Sequence, residues 1–155
     1  MKILITGGNS SIALKLLKAF SQHEVILGDY GDVPAFSSPN YTLVSLGEKN
    51  EDTLAHTLLN CCLDNGVDMI LPLHEFELMP VAKTKVLFNE FNIEVLLPEA
   101  EAIGKFVRPN KHDNWLILKA GEAIFATAPF NIDDQHLSGA FYLADDLEMN
   151  LITVR

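Results

Sequence analysis

A glycine-containing segment near the start of the chain is the clearest candidate for binding chemistry. An apolar run is followed by Gly7 and Gly8, and then by the polar residues Asn9-Ser10-Ser11. A phosphate-binding turn needs one glycine for the tight bend and another where the backbone approaches the ligand. Gly7 and Gly8 meet these two needs, and Ala13 supplies a small residue where a helix would meet its strand. We therefore expect a ligand at this turn, because such turns present backbone N–H groups to a ligand.

An acidic residue follows this turn at the spacing used by dinucleotide-binding proteins. Asp29 lies about 20 residues further on, where such proteins hold a ribose hydroxyl. Asn9, Ser10 and Ser11, however, occupy positions where tighter dinucleotide fingerprints have glycines. Three interpretations stay open: NAD(P) binding, binding of another ligand, or a turn and a strand end without a ligand.

The elements that must position these residues alternate between strands and helices. Ser10 or Ser11 is suited to cap a first helix, in which apolar residues recur at helical spacing. Further helices are predicted over residues 50–65 and 74–91, and a loop over residues 30–40. The five predicted strands are residues 3–5, 24–29, 41–46, 67–73 and 93–98. This alternation predicts an α/β fold, a Rossmann-like doubly wound parallel sheet in the order 3-2-1-4-5.

The last third of the sequence is less regular. We predict a short helix over residues 99–106 and a second helix over residues 110–120 that carries Trp115, Leu116 and Leu118. Strands are possible at residues 123–128, 141–143 and 151–154. We therefore expect a main domain over residues 1–104 and a short irregular C-terminal extension, residues 105–155, that packs on it as a linker-like helix and short strands.

Composition excludes several classes of partner. The chain has 155 residues and a formal net charge of −10, which is unfavourable for binding nucleic acid or an anionic membrane. Its first apolar run is too short for a signal peptide, and no run approaches the roughly 18–20 apolar residues of a membrane span. Cys61 and Cys62 are adjacent in a predicted helix, so we expect reduced thiols, no metal site and a cytoplasmic location.

The turn resembles the N-terminal signature of the short-chain dehydrogenase/reductase family, which gives a direct test of that chemistry. The catalytic pair of this family is a tyrosine with a lysine four positions later. Four residues after the three tyrosines, Tyr30, Tyr41 and Tyr142, stand Pro34, Ser45 and Asp146. The catalytic pair is therefore absent, and we assign no catalytic residue.

Three segments share their order and spacing with a different enzyme family. They are the strand and turn at residues 3–13, an apolar strand followed by acidic residues at 66–82, and the segment 110–129. Together they resemble the N-terminal part of ATP-grasp ligases, the carboxylate–amine ligases that include biotin carboxylase and carbamoyl phosphate synthetase. Asn110 stands where the family has an Asp, and Phe125 stands where it has a Pro.

The resemblance implies a Rossmann-like pre-ATP-grasp domain whose turn faces the acceptor-substrate side. Gly7, Gly8, Asn9, Ser10 and Ser11 would then be the binding loop, suited to the carboxylate or phosphate of a small anionic metabolite. His74 and Glu75 follow the fourth strand and would lie at the same sheet edge, beside the switch point. Glu75 and Glu77 also suit the positive end of a helix dipole.

The resemblance also implies which parts are missing. In ATP-grasp enzymes two later lobes bind ATP and magnesium, and this sequence has no glycine-rich phosphate loop after residue 130. The pairs Asp133-Asp134 and Asp145-Asp146 are better explained as turn residues than as metal ligands. We therefore expect no bound cofactor, with ATP and magnesium involved only if a partner chain supplies the lobes.

Three hypotheses follow. The first is a non-catalytic module that binds a small anionic metabolite or a protein partner, such as an ATP-grasp chain, at the Gly7–Ser11 turn. The alternative is an NAD(P)-binding oxidoreductase or epimerase-like protein that uses Gly7, Gly8 and Asp29. The third is a homo-oligomer held together by the apolar segment 137–155.

Overall fold

The strands of the protein form two β-sheets, one mostly parallel and one antiparallel. The computed structural model describes residues 1–34, 36–108, 111–132, 134–146 and 148–154. Asn110 of the family-like segment and Asp133 of the first acidic pair lie outside these residues. Within the described ranges, no helix is long and apolar enough to cross a membrane.

The first sheet has six strands and the predicted topology. Its strands are β1 (Lys2–Thr6), β2 (Glu24–Asp29), β3 (Phe36–Ser37), β4 (Thr42–Ser45), β5 (Met69–Leu71) and β6 (Glu94–Val95). Their spatial order is β3-β4-β2-β1-β5-β6, and only β3 runs antiparallel to its neighbour. The predicted order 3-2-1-4-5 corresponds to β4-β2-β1-β5-β6, so the Rossmann-like α/β fold is confirmed. The additional strand β3 lies at the edge, within the predicted loop.

The central strand β1 is apolar because both of its faces are covered. Ile3, Leu4 and Ile5 are all fully buried. Leu4 packs in one apolar cluster, and Ile3 and Ile5 pack in the other on the opposite side of the sheet. This two-sided burial is typical of parallel sheets and explains the continuous apolar run in the sequence.

Helices cover the faces of this sheet. They are α1 (Ser11–Leu16), α2 (Leu54–Asp64), α3 (Glu75–Ala82), α4 (Lys85–Glu90) and α5 (Ile103–Phe106), with 3₁₀ turns at Leu17–Phe20 and Ala100–Ala102. Ser10 caps α1 as predicted, since its Oγ accepts a hydrogen bond from the N–H of Ala13 at 3.1 Å.

The single helix predicted over residues 74–91 is wrong, because the segment forms α3 and α4 with a break between them. The hydroxyl of Thr84 donates to the carbonyl oxygens of Pro80 and Val81, both at 3.0 Å. A side chain that bonds the preceding turn competes with continued helical pairing of the backbone. Thr84 therefore marks the end of one helix and precedes the start of the next.

The last third of the chain is more regular than expected. Its strands are β7 (Asn114–Lys119), β8 (Glu122–Ala126), β9 (Gly139–Leu143) and β10 (Met149–Leu151), and they form an antiparallel sheet in the order β10-β9-β7-β8. The predicted helix over residues 110–120 is wrong, and the extension is a four-stranded sheet rather than an irregular segment. The predicted strands at 123–128 and 141–143 are confirmed with shifted bounds, whereas the strand predicted at 151–154 shares only Leu151 with β10.

A physical reason for this error lies in residues 115–118. Trp115, Leu116, Ile117 and Leu118 are all buried, so both faces of the segment are covered. A helix of this length would bury one face only, whereas a central strand buries both. Positive φ angles at Ala120 and Gly121, 49° and 81°, then turn the chain back into β8.

Candidate functional site

The Gly7–Gly8 turn is held tightly against the parallel sheet. Gly7 has a φ of +66°, a conformation that favours glycine. A Cβ on Gly8 would lie 2.9 Å from the backbone of Leu27, so this position has no room for a side chain. The N–H of Gly8 donates to the carbonyl oxygen of Gly28 at 2.9 Å. Both glycines therefore have structural reasons that require no ligand.

Several N–H groups of the predicted binding loop already have partners inside the protein. Asn9 N–H donates to Oδ2 of Asp29 at 3.2 Å, and Ser10 N–H donates to the carbonyl oxygen of Gly7 at 2.9 Å. The Ser10 hydroxyl donates to the same carbonyl oxygen at 2.6 Å. The exposed residues of the loop are Asn9 and Ser11. A ligand at this turn would therefore meet their side chains first.

Asp29 and His74 form a mostly buried pair at the carboxyl edge of the sheet. Oδ1 of Asp29 lies 2.8 Å from Nε2 of His74, and the two side chains are 14% and 13% exposed. The same Oδ1 accepts from the N–H of Tyr30 at 2.9 Å. The structure thus joins Asn9, Asp29 and His74 by hydrogen bonds, although they are far apart in the sequence.

Glu75 takes a different position from the other predicted residues. It is the first residue of α3 and is exposed. Its backbone N–H donates to the carbonyl oxygen of Val154 at 2.9 Å. Glu75 therefore lies at the exposed rim of this edge.

Glu77 is a buried carboxylate that sequence reasoning explained only through the helix dipole. It is fully buried and accepts hydrogen bonds from the hydroxyl of Thr6 at 2.5 Å and the hydroxyl of Tyr30 at 2.6 Å. The N–H of His74 adds a third bond at 3.1 Å. Thr6 Oγ1 in turn accepts from the N–H of Leu73 at 2.8 Å. Glu77 thereby connects the ends of β1, β2 and β5 to α3.

Burial favours the protonated form of the Glu77 carboxyl group. It raises the pKa of Glu77, while the hydrogen bonds from Thr6 and Tyr30 favour the charged form and offset part of the rise. Burial and the neighbouring Glu77 carboxylate raise the pKa of Tyr30 well above its usual range. The phenol therefore stays protonated at neutral pH and acts as a donor to Glu77.

Aromatic rings fix the orientation of His74. Its ring stacks on Phe76 with a centroid distance of 4.9 Å and an angle of 20° between the ring planes. Tyr30 packs against both rings, at 5.7 and 5.5 Å. Nζ of Lys49 lies 3.9 Å from the Phe76 centroid on the side of the 46–53 loop, which borders an open groove of about 670 Å³. These contacts hold the imidazole against Asp29.

Val154 crosses the same edge of the sheet. Its N–H donates to the carbonyl oxygen of Leu73 at 2.7 Å, and it pairs in parallel with His74. A Cβ placed on Gly7 would lie 3.4 Å from Cγ2 of Val154. Val154 therefore packs against the glycine turn between the ends of β1 and β5.

Metal and thiol chemistry have little support in the part of the chain that the structure describes. There, no group of three or more His, Cys, Asp or Glu side chains is arranged to hold a metal ion. Cys61 and Cys62 are free thiols. Burial raises the pKa of Cys61, and it raises the pKa of Cys62 to about 12. Both thiols are therefore protonated at neutral pH and poorly nucleophilic.

Comparisons with known proteins identify similar folds. No protein-family model matches the chain, and no characterised protein matches it by sequence. Biotin carboxylase from Campylobacter jejuni is 21% identical over 68% of this chain and 25% of its own, with a TM-score of 0.49. Urea amidolyase from K. lactis is 18% identical over 81% of this chain and 9% of its own, with a TM-score of 0.50. Urea carboxylase from Kluyveromyces lactis is 17% identical over 81% of this chain and 13% of its own, with a TM-score of 0.47.

These similarities concern the fold. The chain spans a quarter or less of the length of each of these proteins. Urea amidolyase, at 18% identity and a TM-score of 0.50, shows a shared fold alone. A shared fold does not by itself transfer an activity, which depends on the residues of a site.

Proposed function

We propose that the chain is a pre-ATP-grasp-like binding module, without catalytic activity of its own, that takes a small anionic metabolite at the Gly7–Ser11 turn. The observation that carries this proposal is the position of the turn, which hydrogen bonds join through Asn9 to Asp29 and His74. It lies beyond the carboxyl ends of the strands beside the switch point, where open α/β sheets bind ligands.

Exposed side chains and a helix start favour an anion at this turn. Asn9 and Ser11 offer an amide and a hydroxyl donor, and Ser11 begins α1. The positive end of a helix dipole favours negative charge. The carboxylate of Asp29 opposes it, so a carboxylate or phosphate group would approach from the Ser11 side of the loop.

The proposal that the module lacks catalytic activity rests on what phosphoryl transfer requires. The reaction needs cations and magnesium ligands placed around the phosphates. At this edge the carboxylates Asp29, Glu75 and Glu77 are accompanied by His74, which pairs with Asp29, and by the ammonium of Lys49. In the ATP-grasp family, which this chain resembles, later lobes bind ATP and magnesium. We therefore propose that a partner chain would supply these lobes.

NAD(P) binding is less well supported than anion binding. A ribose hydroxyl would need a carboxylate oxygen of Asp29 as its acceptor. Oδ1 already accepts from Tyr30 N–H and lies against His74, and Oδ2 accepts from Asn9 N–H. Only one acceptor position of Oδ2 is left for a ribose hydroxyl.

Calorimetric titration with inorganic phosphate and with malonate tests the proposed function. We expect Ser11→Ala to weaken binding by about three- to tenfold, the equivalent of one lost hydrogen bond. Asp29→Asn should strengthen binding because it removes a negative charge beside the loop. Ser21→Ala, an exposed serine after the first 3₁₀ turn, is the matched control and should leave the affinity unchanged.

Two results would contradict the proposal. One is the absence of any heat of binding for either anion, or equal affinities in the Ser11 and Ser21 variants. The other is hydrolysis of magnesium-ATP by the purified chain at an enzyme-like rate, which would show that the chain is catalytic by itself.

A further inference from the structure

Residues 152–154 connect the two sheets across the candidate site, and we call them the strap. At one end, the N–H of Ile152 donates to the carbonyl oxygen of Ala140 in β9 at 2.9 Å. At the other end, Val154 bonds to Leu73 and Glu75, which flank His74 at the edge of the parallel sheet. The strap thus leaves the antiparallel sheet after β10 and continues over the loops of the other sheet.

The strap covers one side of the crevice beside the glycine turn. The crevice of a doubly wound sheet opens where neighbouring connections leave in opposite directions, here between β1 and β5. Val154 lies in this crevice, with its side chain against Gly7 and its backbone along Leu73 and Glu75. A ligand that reaches the crevice from this side meets Val154 before it meets the turn.

The two ends of the strap are held to different degrees. Ile152 is only 2% exposed and belongs to the apolar cluster that includes Ile3 and Ile5. Thr153 and Val154 are half-buried, and Val154 packs against the edge of the same cluster. Its backbone is joined to the parallel sheet by a single bridging pair with two hydrogen bonds. A half-buried segment with one bridging pair opens at a lower free energy than the fully buried core beneath it.

We infer that Thr153 and Val154 open and close over the crevice while Ile152 stays anchored, and that an anion binds more tightly at the Gly7–Ser11 turn when the strap is open and Gly7 is uncovered. The second part, the effect of the strap on anion binding, rests on the proposed function. The first part, the opening of the strap, concerns the chain alone. It states that the backbone hydrogen bonds of Val154 with Leu73 and Glu75 break without unfolding of either sheet.

Amide hydrogen exchange measured by NMR tests the first part without a ligand. We expect the amides of Val154 and Glu75 to exchange at least about tenfold faster, after correction for intrinsic rates, than the amide of Leu96. Leu96 N–H donates to the carbonyl oxygen of Ile70 in the same sheet at 2.9 Å and serves as the internal reference. If all three amides exchange together through global unfolding, the strap is a fixed connection and the inference is wrong.

Substitutions at Val154 test the second part. Val154→Pro removes the N–H that donates to Leu73, whereas Val154→Ala keeps this bond and shortens only the side chain against Gly7. Ser21→Ala, outside the strap and the site, is the control. We expect inorganic phosphate to bind Val154→Pro at least about threefold more tightly than wild type, with Val154→Ala in between and Ser21→Ala unchanged. If Val154→Pro fails to fold, Val154→Ala gives the comparison.

The outcomes separate this inference from the proposed function. If phosphate binds neither wild type nor variant while the Val154 amide opens locally, the proposed function is wrong and the opening strap is supported. If phosphate binds wild type and the Val154 variants equally, the strap does not control the site.

Discussion

At the scale of single residues, the buried carboxylate of Glu77 has the most definite physical consequence. Its hydrogen bonds to Thr6, Tyr30 and the His74 N–H join residues that are up to 71 positions apart in the sequence. A buried polar group without its partners costs about 1–3 kcal/mol, so each donor matters for stability. Glu77 therefore stabilises the arrangement of the edge that carries the candidate site.

The raised pKa of Glu77 predicts a pH dependence with a definite sign. Because the folded-state pKa lies above the unfolded value near 4.5, the folded state favours the protonated form. The stability contributed by this group is full below pH 4.5 and is lost as pH rises through the raised folded pKa. The free energy of unfolding of wild type, relative to Glu77→Gln, should therefore fall across this window.

Urea denaturation at a series of pH values measures this difference. Glu75→Gln, which removes an exposed carboxylate from the same helical turn, is the matched control. A wild-type stability that rises relative to Glu77→Gln over the same window would show that the hydrogen bonds outweigh burial and that the pKa is lowered.

The residue scale also shows what sequence could predict of the site. The edge shared by Asn9, Asp29 and His74 followed from topology alone, because carboxyl ends of parallel strands meet at one edge. The role of Glu77 did not follow from topology, because it depends on the hydroxyl groups of Thr6 in β1 and Tyr30 after β2. The sequence signal for its burial was a polar residue on an otherwise apolar helix face. A favourable interaction with the helix dipole explained the same residue equally well.

At the scale of elements, the glycine turn packs tightly against β2. A Cβ on Gly8 would lie 2.9 Å from the backbone of Leu27, which a side-chain rotation cannot relieve. We expect Gly8→Ala to destabilise the protein by about 1–3 kcal/mol, as overpacking does elsewhere. Thermal unfolding followed by circular dichroism measures the effect.

Gly104→Ala is the matched control for this substitution. Gly104 lies in α5, and a Cβ there would meet nothing within 4 Å. Alanine at a compatible position typically stabilises by about 0.4–1 kcal/mol. Equal effects of the two substitutions would mean that the turn moves away from β2 at little cost.

The predicted elements were correct where one physical rule dominated. The apolar runs of β1 and β5 indicated central parallel strands, and the alternation of strands and helices determined their order. The prediction failed for residues 114–119, where Trp115 to Leu118 suit either a buried strand or a buried helix. The partner strands β8 and β9 decide between them, and β9 lies some twenty residues further along the chain.

At the scale of the whole molecule, the two sheets share apolar packing. Trp115, in β7 of the antiparallel sheet, belongs to the same cluster as Ile3 and Ile5 in β1. It is the single tryptophan of the sequence, so its fluorescence reports on this shared cluster. The strap adds backbone hydrogen bonds between the same two sheets.

This shared packing predicts one cooperative unfolding transition. Tryptophan fluorescence and far-ultraviolet circular dichroism should give coincident urea curves, because disruption of the cluster exposes both sheets. The comparison needs no variant. A fluorescence transition at a clearly lower urea concentration would mean that the antiparallel sheet unfolds while the parallel sheet persists.

A ¹H–¹⁵N NMR titration of the wild-type chain with inorganic phosphate locates the proposed anion site residue by residue. We expect chemical-shift changes that saturate and are concentrated at residues 7–11, with smaller changes at Asp29 and His74. Changes concentrated instead at the 46–53 groove, or none at millimolar phosphate, would contradict a ligand site at the carboxyl edge of the sheet.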